Sequence, residues 1–208
     1  MALGLVSENS GGGGNIVPIL KYDARGGDFF RVERSQNGAG DWQSENIELP
    51  LPIELAVDMD GIEVGWLGFV GGRPDFRMVK LGEAMPQKPS DDHKQAFRVR
   101  LCNREVGLRE FSSQSKMVLS AFDQLHNQFE AERANHPGLC PVMKVTGTKT
   151  ITVNTPQGEQ RFKVPEWSIS QWIERPSAFD GADEAPSAAF PTPAAPVQQQ
   201  DAVGADLF

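Results

Sequence analysis

The chain has 208 residues, of which 39% are hydrophobic, and 20 basic residues stand against 28 acidic ones, for a formal charge of −8. That length suits one domain with tails. Two cysteines exclude a disulfide framework and suit a reducing cytosol. No run approaches the ~20 apolar residues that span a bilayer. The opening segment has neither a basic n-region nor an adequate apolar h-region, which excludes a signal peptide. The expectation is a soluble cytoplasmic protein.

Residues 1–15 end in Ser10-Gly11-Gly12-Gly13-Gly14-Asn15. Four glycines without a following Gly-Lys-Ser/Thr read as a flexible leader rather than a phosphate cradle. From Asp28 the pattern becomes β. Residues 28–34 predict a strand, closed by the turn cluster 37–41. Residues 48–54 carry Pro50 and Pro52 and read as an edge or loop segment. Residues 62–70 are apolar on both faces, as a buried strand is. Gly71 to Pro74 turns the chain into 75–81, so the two segments predict a hairpin.

Residues 87–94 are polar and read as a loop. Residues 95–102 alternate, with Phe97, Val99 and Leu101 facing one way and Arg98 and Arg100 the other. A short continuation is expected at 108–111. The period then changes. Met117, Val118, Ala121, Phe122, Leu125 and Phe129 predict one amphipathic helix over 115–133, stopped by His136-Pro137-Gly138. Residues 139–154 predict a long strand kinked at Gly147. A return strand follows at 160–164, then a last strand or short helix at 167–173.

This order predicts a mostly β fold with one main helix: an OB-fold-like five-stranded barrel with extra N-terminal strands and the helix between its third and fourth strands. The barrel domain is expected over 16–175. Residues 176–208 are rich in Ala, Pro and Gln, with five acidic residues and no basic one. Such a tail cannot bury enough apolar surface to order itself. It contributes −5 to the formal net charge of −8.

Enzyme motifs are largely absent: there is no nucleophile elbow, no metalloprotease helix and no dinucleotide fingerprint. No catalytic residue, cofactor or metal is therefore expected. Asp58, Asp60, Asp91 and Asp92 are paired carboxylates with the chemistry for Mg²⁺ but read as turn residues. Cys102, His126, His136 and Cys140 match no zinc spacing.

A basic-aromatic pattern is present instead. Binding single strands without reading sequence needs cations along the phosphates and aromatic faces for the bases. The candidates are Arg31, Arg34, Trp66, Phe69, Arg73, Phe76, Arg77, Lys80, Arg98, Arg100, Arg104 and Arg109. Residues 73–109 hold nine of the chain's 20 basic residues.

The β-rich domain with one helix, the Pro/Gln/Ala-rich linker and the tip Asp201, Asp206, Leu207 and Phe208 together resemble phage and bacterial single-stranded DNA-binding proteins. Bacterial members end in Asp-Asp-Asp-Ile-Pro-Phe. The resemblance implies a protein of DNA replication, recombination and repair that coats single strands and catalyses no reaction. It implies that the tip recruits replication proteins such as a polymerase, helicase, primase or clamp, in the cytoplasm of a bacterial or phage-infected cell. Ala205-Asp206-Leu207-Phe208 is also similar to the end of the bacterial clamp-binding peptide, Gln-Leu-Asp-Leu-Phe, with Gly204 where that motif has Gln. A clamp-binding adaptor is the alternative, and a metal-dependent nuclease using the paired aspartates is a third. The helix packs either on its own barrel or on a second subunit, so a homo-oligomer stays open.

Overall fold

A computed structural model describes residues 17–182, apart from 39, 156 and 157. The strands are β1 (Ile19–Asp23), β2 (Asp28–Gln36), β3 (Trp42–Leu49), β4 (Ile53–Val57), β5 (Glu63–Val70), β6 (Arg73–Lys80), β7 (Lys94–Asn103), β8 (Gly107–Ser113), β9 (Leu139–Thr155) and β10 (Gly158–Glu174). One helix, α1 (Lys116–Glu132), separates β8 from β9. Short 3-10 turns lie at Met59–Gly61, Arg133–Asn135 and Ser177–Ala182. None of the described helices is long and apolar enough to cross a membrane.

The strands form one open, mixed sheet in the order β10-β9-β4-β7-β8-β1-β2-β3, with β5 and β6 branching from β7. The branch follows from how β7 divides one of its edges. Residues 94–98 pair with β5, and Leu101 and Cys102 pair with β4. β5 and β6 therefore leave the main sheet as a ribbon, turning at Gly71 and Gly72, whose φ values of 58° and 77° suit a two-residue hairpin turn. β1 is inserted parallel to β8. The sheet curls until the β1–β2 turn reaches β10: Lys163 N–H donates to Ala24 O at 2.7 Å and Tyr22 Oη to Lys163 O at 2.8 Å.

The curl encloses Leu20, Phe29, Leu55, Val57, Phe97, Val99, Leu101, Phe111 and Val145, closed over by Val118, Phe122, Leu125 and Phe129 of α1. Phe97 stacks on Phe122 with ring centroids 4.1 Å apart, and Trp167 sets its edge against Phe111 and Phe122. The Trp167 indole N–H donates to Ala121 O at 2.9 Å, which fixes the helix to β10. α1 thus packs on its own sheet, one of the two placements the sequence left open.

Several expectations need correction. The segment 48–54 is the end of edge strand β3, a three-residue connection with a cis Leu51–Pro52 bond, and the start of β4. The expected N-terminal strands include β1 and β3, whose positions no apolar alternation marks. The last two expected elements are one strand, β10, carrying Pro165 inside it with register shifts beside Trp167 and Ile169. The expected domain end at Arg175 is too early: Phe179 is fully buried in a second cluster with Ala56, Cys102 and Cys140. That cluster lies on the sheet face opposite the core, because these residues alternate with Leu55, Val57 and Leu101. The leader, residues 1–15, and the tail beyond 182 lie outside the described residues.

Candidate nucleic-acid interface

The register of β6, β5 and β7 defines one continuous face. Phe69 stands opposite Pro74, Leu67 opposite both Phe76 and Lys94, and Glu63 opposite both Lys80 and Arg98. Paired residues share a face, so Phe69, Phe76, Lys80, Lys94 and Arg98 lie together on the side away from the Phe97 core. Phe69 is 58% exposed at the ribbon's end, beside Val70 at 61%. Lys80 and Lys94 are exposed, and Phe76 is half-buried. The Arg98 guanidinium lies 5.3 Å from the Phe76 ring centroid. Between them β5 presents Gly65, which has no side chain to block the crossing. Its backbone is also pressed against β6: a Cβ there would sit 2.0 Å from Arg77 O.

The other face of the ribbon is covered around Trp66 and Gly68, while Val70, Arg73 and Arg77 on it are exposed. Trp66 is half-buried, and its indole N–H donates to Pro86 O at 2.8 Å. His93, almost fully buried, lies against Gly68, where a Cβ would meet the ring at 2.8 Å. Its ring nitrogens bond Ser90 Oγ at 2.8 Å and Asp75 Oδ2 at 3.2 Å. The loop after β6 is thereby pinned to the ribbon's inner side, while on the outer side Leu67 and Ala96 are buried and Phe69, Lys80 and Lys94 are exposed.

The twelve predicted residues divide by what holds them. Arg73, Arg77, Lys80 and Arg104 are exposed, with Arg77 3.2 Å from Asp75. Three arginines are engaged inside the fold. Arg98 pairs with Glu63 and lies 3.8 Å from Glu110. Arg100 lies 3.4 Å from Asp58 and donates to Phe179 O at 3.2 Å. Arg109 is buried, donating to Val106 O and Glu33 Oε1, each at 2.6 Å. Arg31 lies 3.7 Å from Glu33, and Arg34 is half-buried on the remote β2–β3 ribbon. Burial raises the Glu110 carboxyl above the ordinary range, a shift that Arg98 opposes. The alternation of residues 95–102 gives the outward side of Arg98 and Arg100 but not their carboxylate neighbours. The tip residues Asp201, Asp206, Leu207 and Phe208 lie outside the described residues.

Sequence reasoning did not single out Lys94, although the pairing of β5 with β7 sets it opposite Leu67, on the face of Phe69 and Phe76. It also passed over the β9–β10 ribbon, where Lys149 and Arg161 are exposed and Lys163 half-buried. Alternating basic residues in a Thr-rich strand were the available signal.

The residues weighed for metals do not converge. Asp58 is fully buried between Arg100 and Arg175, Asp60 lies 3.5 Å from Arg133, and Asp91 lies 3.6 Å from Lys88. His126 lies 3.9 Å from Glu130, and His136 stacks on Trp172 at 4.6 Å. Among the described residues no three His, Cys, Asp or Glu side chains gather as a metal site. Cys102 and Cys140 sit beneath Phe179. Burial raises both thiols, Cys140 to about 12, with Asp58 adding to the shift.

Comparison with protein-family models, with curated proteins and with solved structures finds no match.

Proposed function

We propose that the protein binds single-stranded DNA in replication, recombination or repair, with the outer face of β6, β5 and β7 as its platform and no reaction of its own. The observation that carries this reading is the register that sets exposed Phe69 and half-buried Phe76 among Lys80, Lys94 and Arg98. Arg73 and Arg77 stand on the same ribbon. Bases stack on aromatic faces while cations follow the phosphates, a combination that tolerates any sequence.

The pairing pattern supports an OB-type barrel as the finer description. β4, β7, β8, then α1, then β9 and β10 run in the barrel's chain order, and β4 pairs with both β7 and β9. In that description β1 occupies the place between β8 and β10, and the β5–β6 ribbon is an elaborated connection between the first two barrel strands. The β9–β10 tip is the connection between the last two. These are the two connections through which OB folds meet oligonucleotides, and both carry basic residues here. The tip at Asp201, Asp206, Leu207 and Phe208 then serves to recruit a replication protein in the cytoplasm.

The test is fluorescence anisotropy with labelled oligo-dT, matched duplex and RNA at two salt concentrations. It uses the full chain and a chain ending at Ala182, which retains Phe179. Binding to oligo-dT that exceeds duplex binding and weakens with salt supports the proposal. Absence of binding by both chains sinks it.

A further inference from the structure

The sheet leaves three strands with one open edge, and they are protected differently. Exposed edges template pairing with other chains unless blunted by Pro, by charged side chains, Lys above all, or by cover. β6 carries Pro74 together with Arg73, Arg77 and Lys80. β10 carries Pro165, and two of its outward N–H groups are taken: Lys163 donates to Ala24 O at 2.7 Å and Ile169 to Gln128 Oε1 at 3.1 Å. β3, Trp42-Gln-Ser-Glu-Asn-Ile-Glu-Leu49, has no Pro, Lys or Arg, carries Glu45 and Glu48 as its charges, and among the described residues pairs only with β2. Trp42, at its start, is 65% exposed.

The direction of the open groups follows from the hairpin. Asn37 N–H donates to Asp41 O at 2.9 Å, which makes that pair hydrogen-bonded. Alternation along the ladder then turns residues 43, 45 and 47 toward β2 and residues 42, 44, 46 and 48 outward. Among the described residues, the outward backbone groups of these four meet no other strand or loop.

We propose that β3 pairs antiparallel with β3 of a second copy about a two-fold axis at Asn46. Two-fold pairing sets same-face residues opposite each other. Centring on Glu45 sets that carboxylate directly against its own copy, which is unfavourable. Centring on Asn46 sets Asn46 against Asn46, Ser44 against Glu48, Glu45 against Ile47, and Trp42 against Pro50 of the second copy. No like charges oppose one another, the outward groups of 44, 46 and 48 are all bonded, and the exposed indole gains an apolar neighbour. This is the longest overlap of β3 with itself that avoids like charges. The inference stands independently of nucleic-acid binding.

Sedimentation velocity on the full chain tests it, between roughly 1 and 300 µM, since an interface of one strand pair is small. The expected result is a mass rising with concentration from 22.8 kDa toward twice that value. Asn46→Lys sets two ammonium groups on the axis and should hold the chain monomeric, with an unchanged circular dichroism spectrum. Asn46→Cys places two thiols across a hydrogen-bonded pair, about 5.5 Å apart at Cα, within disulfide reach. Under mild oxidation it should cross-link, while Ser44→Cys, which faces Glu48 of the second copy, should not. Cys102 and Cys140 are buried and do not compete. A monomer at every concentration overturns the proposal. So does a dimer that Asn46→Lys leaves intact and Asn46→Cys fails to trap.

Discussion

Arg175 reaches back across the fold to Asp58, its Nη1 2.7 Å from Oδ1 of a fully buried carboxylate. Arg100 stands 3.4 Å from the other oxygen. The acid sits where β4 ends, and its partners come from β7 and from the exit of β10, so one carboxylate ties three parts of the chain. Removing one partner of a buried ion pair leaves the others uncompensated. Asp58→Ala should therefore lower stability by about 3–5 kcal/mol, read from urea denaturation. A loss under about 1 kcal/mol would show that the two arginines find water instead.

Phe179 is the side chain that seals the second cluster over Cys102 and Cys140. Phe179→Ala should cost about 3–5 kcal/mol and expose both thiols to Ellman's reagent at pH 8, where the buried thiols of the native protein should react slowly. A chain ending at Arg175 should show the same reactivity, and one ending at Ala182 should not.

The thiols also set an alkaline limit. Cys140 is raised from 9.0 to about 12, first by burial and then by Asp58. A folded pKa above the unfolded one means that the native state holds its proton longer. The stability so contributed is complete below about pH 9 and is lost as pH rises toward 12. Stability measured from pH 8 to 11 should fall, and Cys140→Ala should flatten that fall relative to the native chain.

On the platform, Phe69→Ala should weaken oligo-dT binding roughly 5- to 100-fold, the range for one lost stacking contact. Lys80→Ala and Lys94→Ala should each lower the salt slope by about 0.7. None of the three should change the melting temperature by more than a degree or two. Arg109→Ala should behave in the opposite way, losing about 1–3 kcal/mol of stability through its broken buried bonds while leaving the salt slope unchanged. Equal salt slopes for all four variants and the native chain would remove the platform from consideration.

Gly65 offers a purely steric check. Its missing Cβ would fall 2.0 Å from a carbonyl oxygen of β6, and backbone cannot swing aside as a long side chain can. Gly65→Ala should separate β5 from β6 locally, visible as accelerated amide exchange in residues 73–80.

What was legible in the sequence was what depends on period. The helix over 115–133 was found within one residue at each end, because Phe122, Leu125 and Phe129 recur on one face. The alternation of residues 95–102 located β7 for the same reason. β3 was invisible over most of its length because only Leu49 is buried in it, so no alternation of apolar residues marks it. β10 was broken in two by Pro165, which an edge strand tolerates. Period gives the outward side of Arg98, Arg100 and Arg109 but not what lies across from them. Their partners Glu63, Asp58 and Glu33 are 35, 42 and 76 residues away in sequence.

The parallel seat of β1 beside β8 also governs the order in which the molecule can be made. Ile19 pairs with Glu110, 91 residues downstream. At a synthesis rate of roughly 5–20 residues per second, the ribosome needs about 5–18 s to deliver that partner. During this interval Leu20, Phe29 and Leu49 have no core to enter. The newborn β1–β2–β3 meander therefore stays without its parallel neighbour until β8 emerges, and slowing translation between residues 50 and 107 should lengthen that interval.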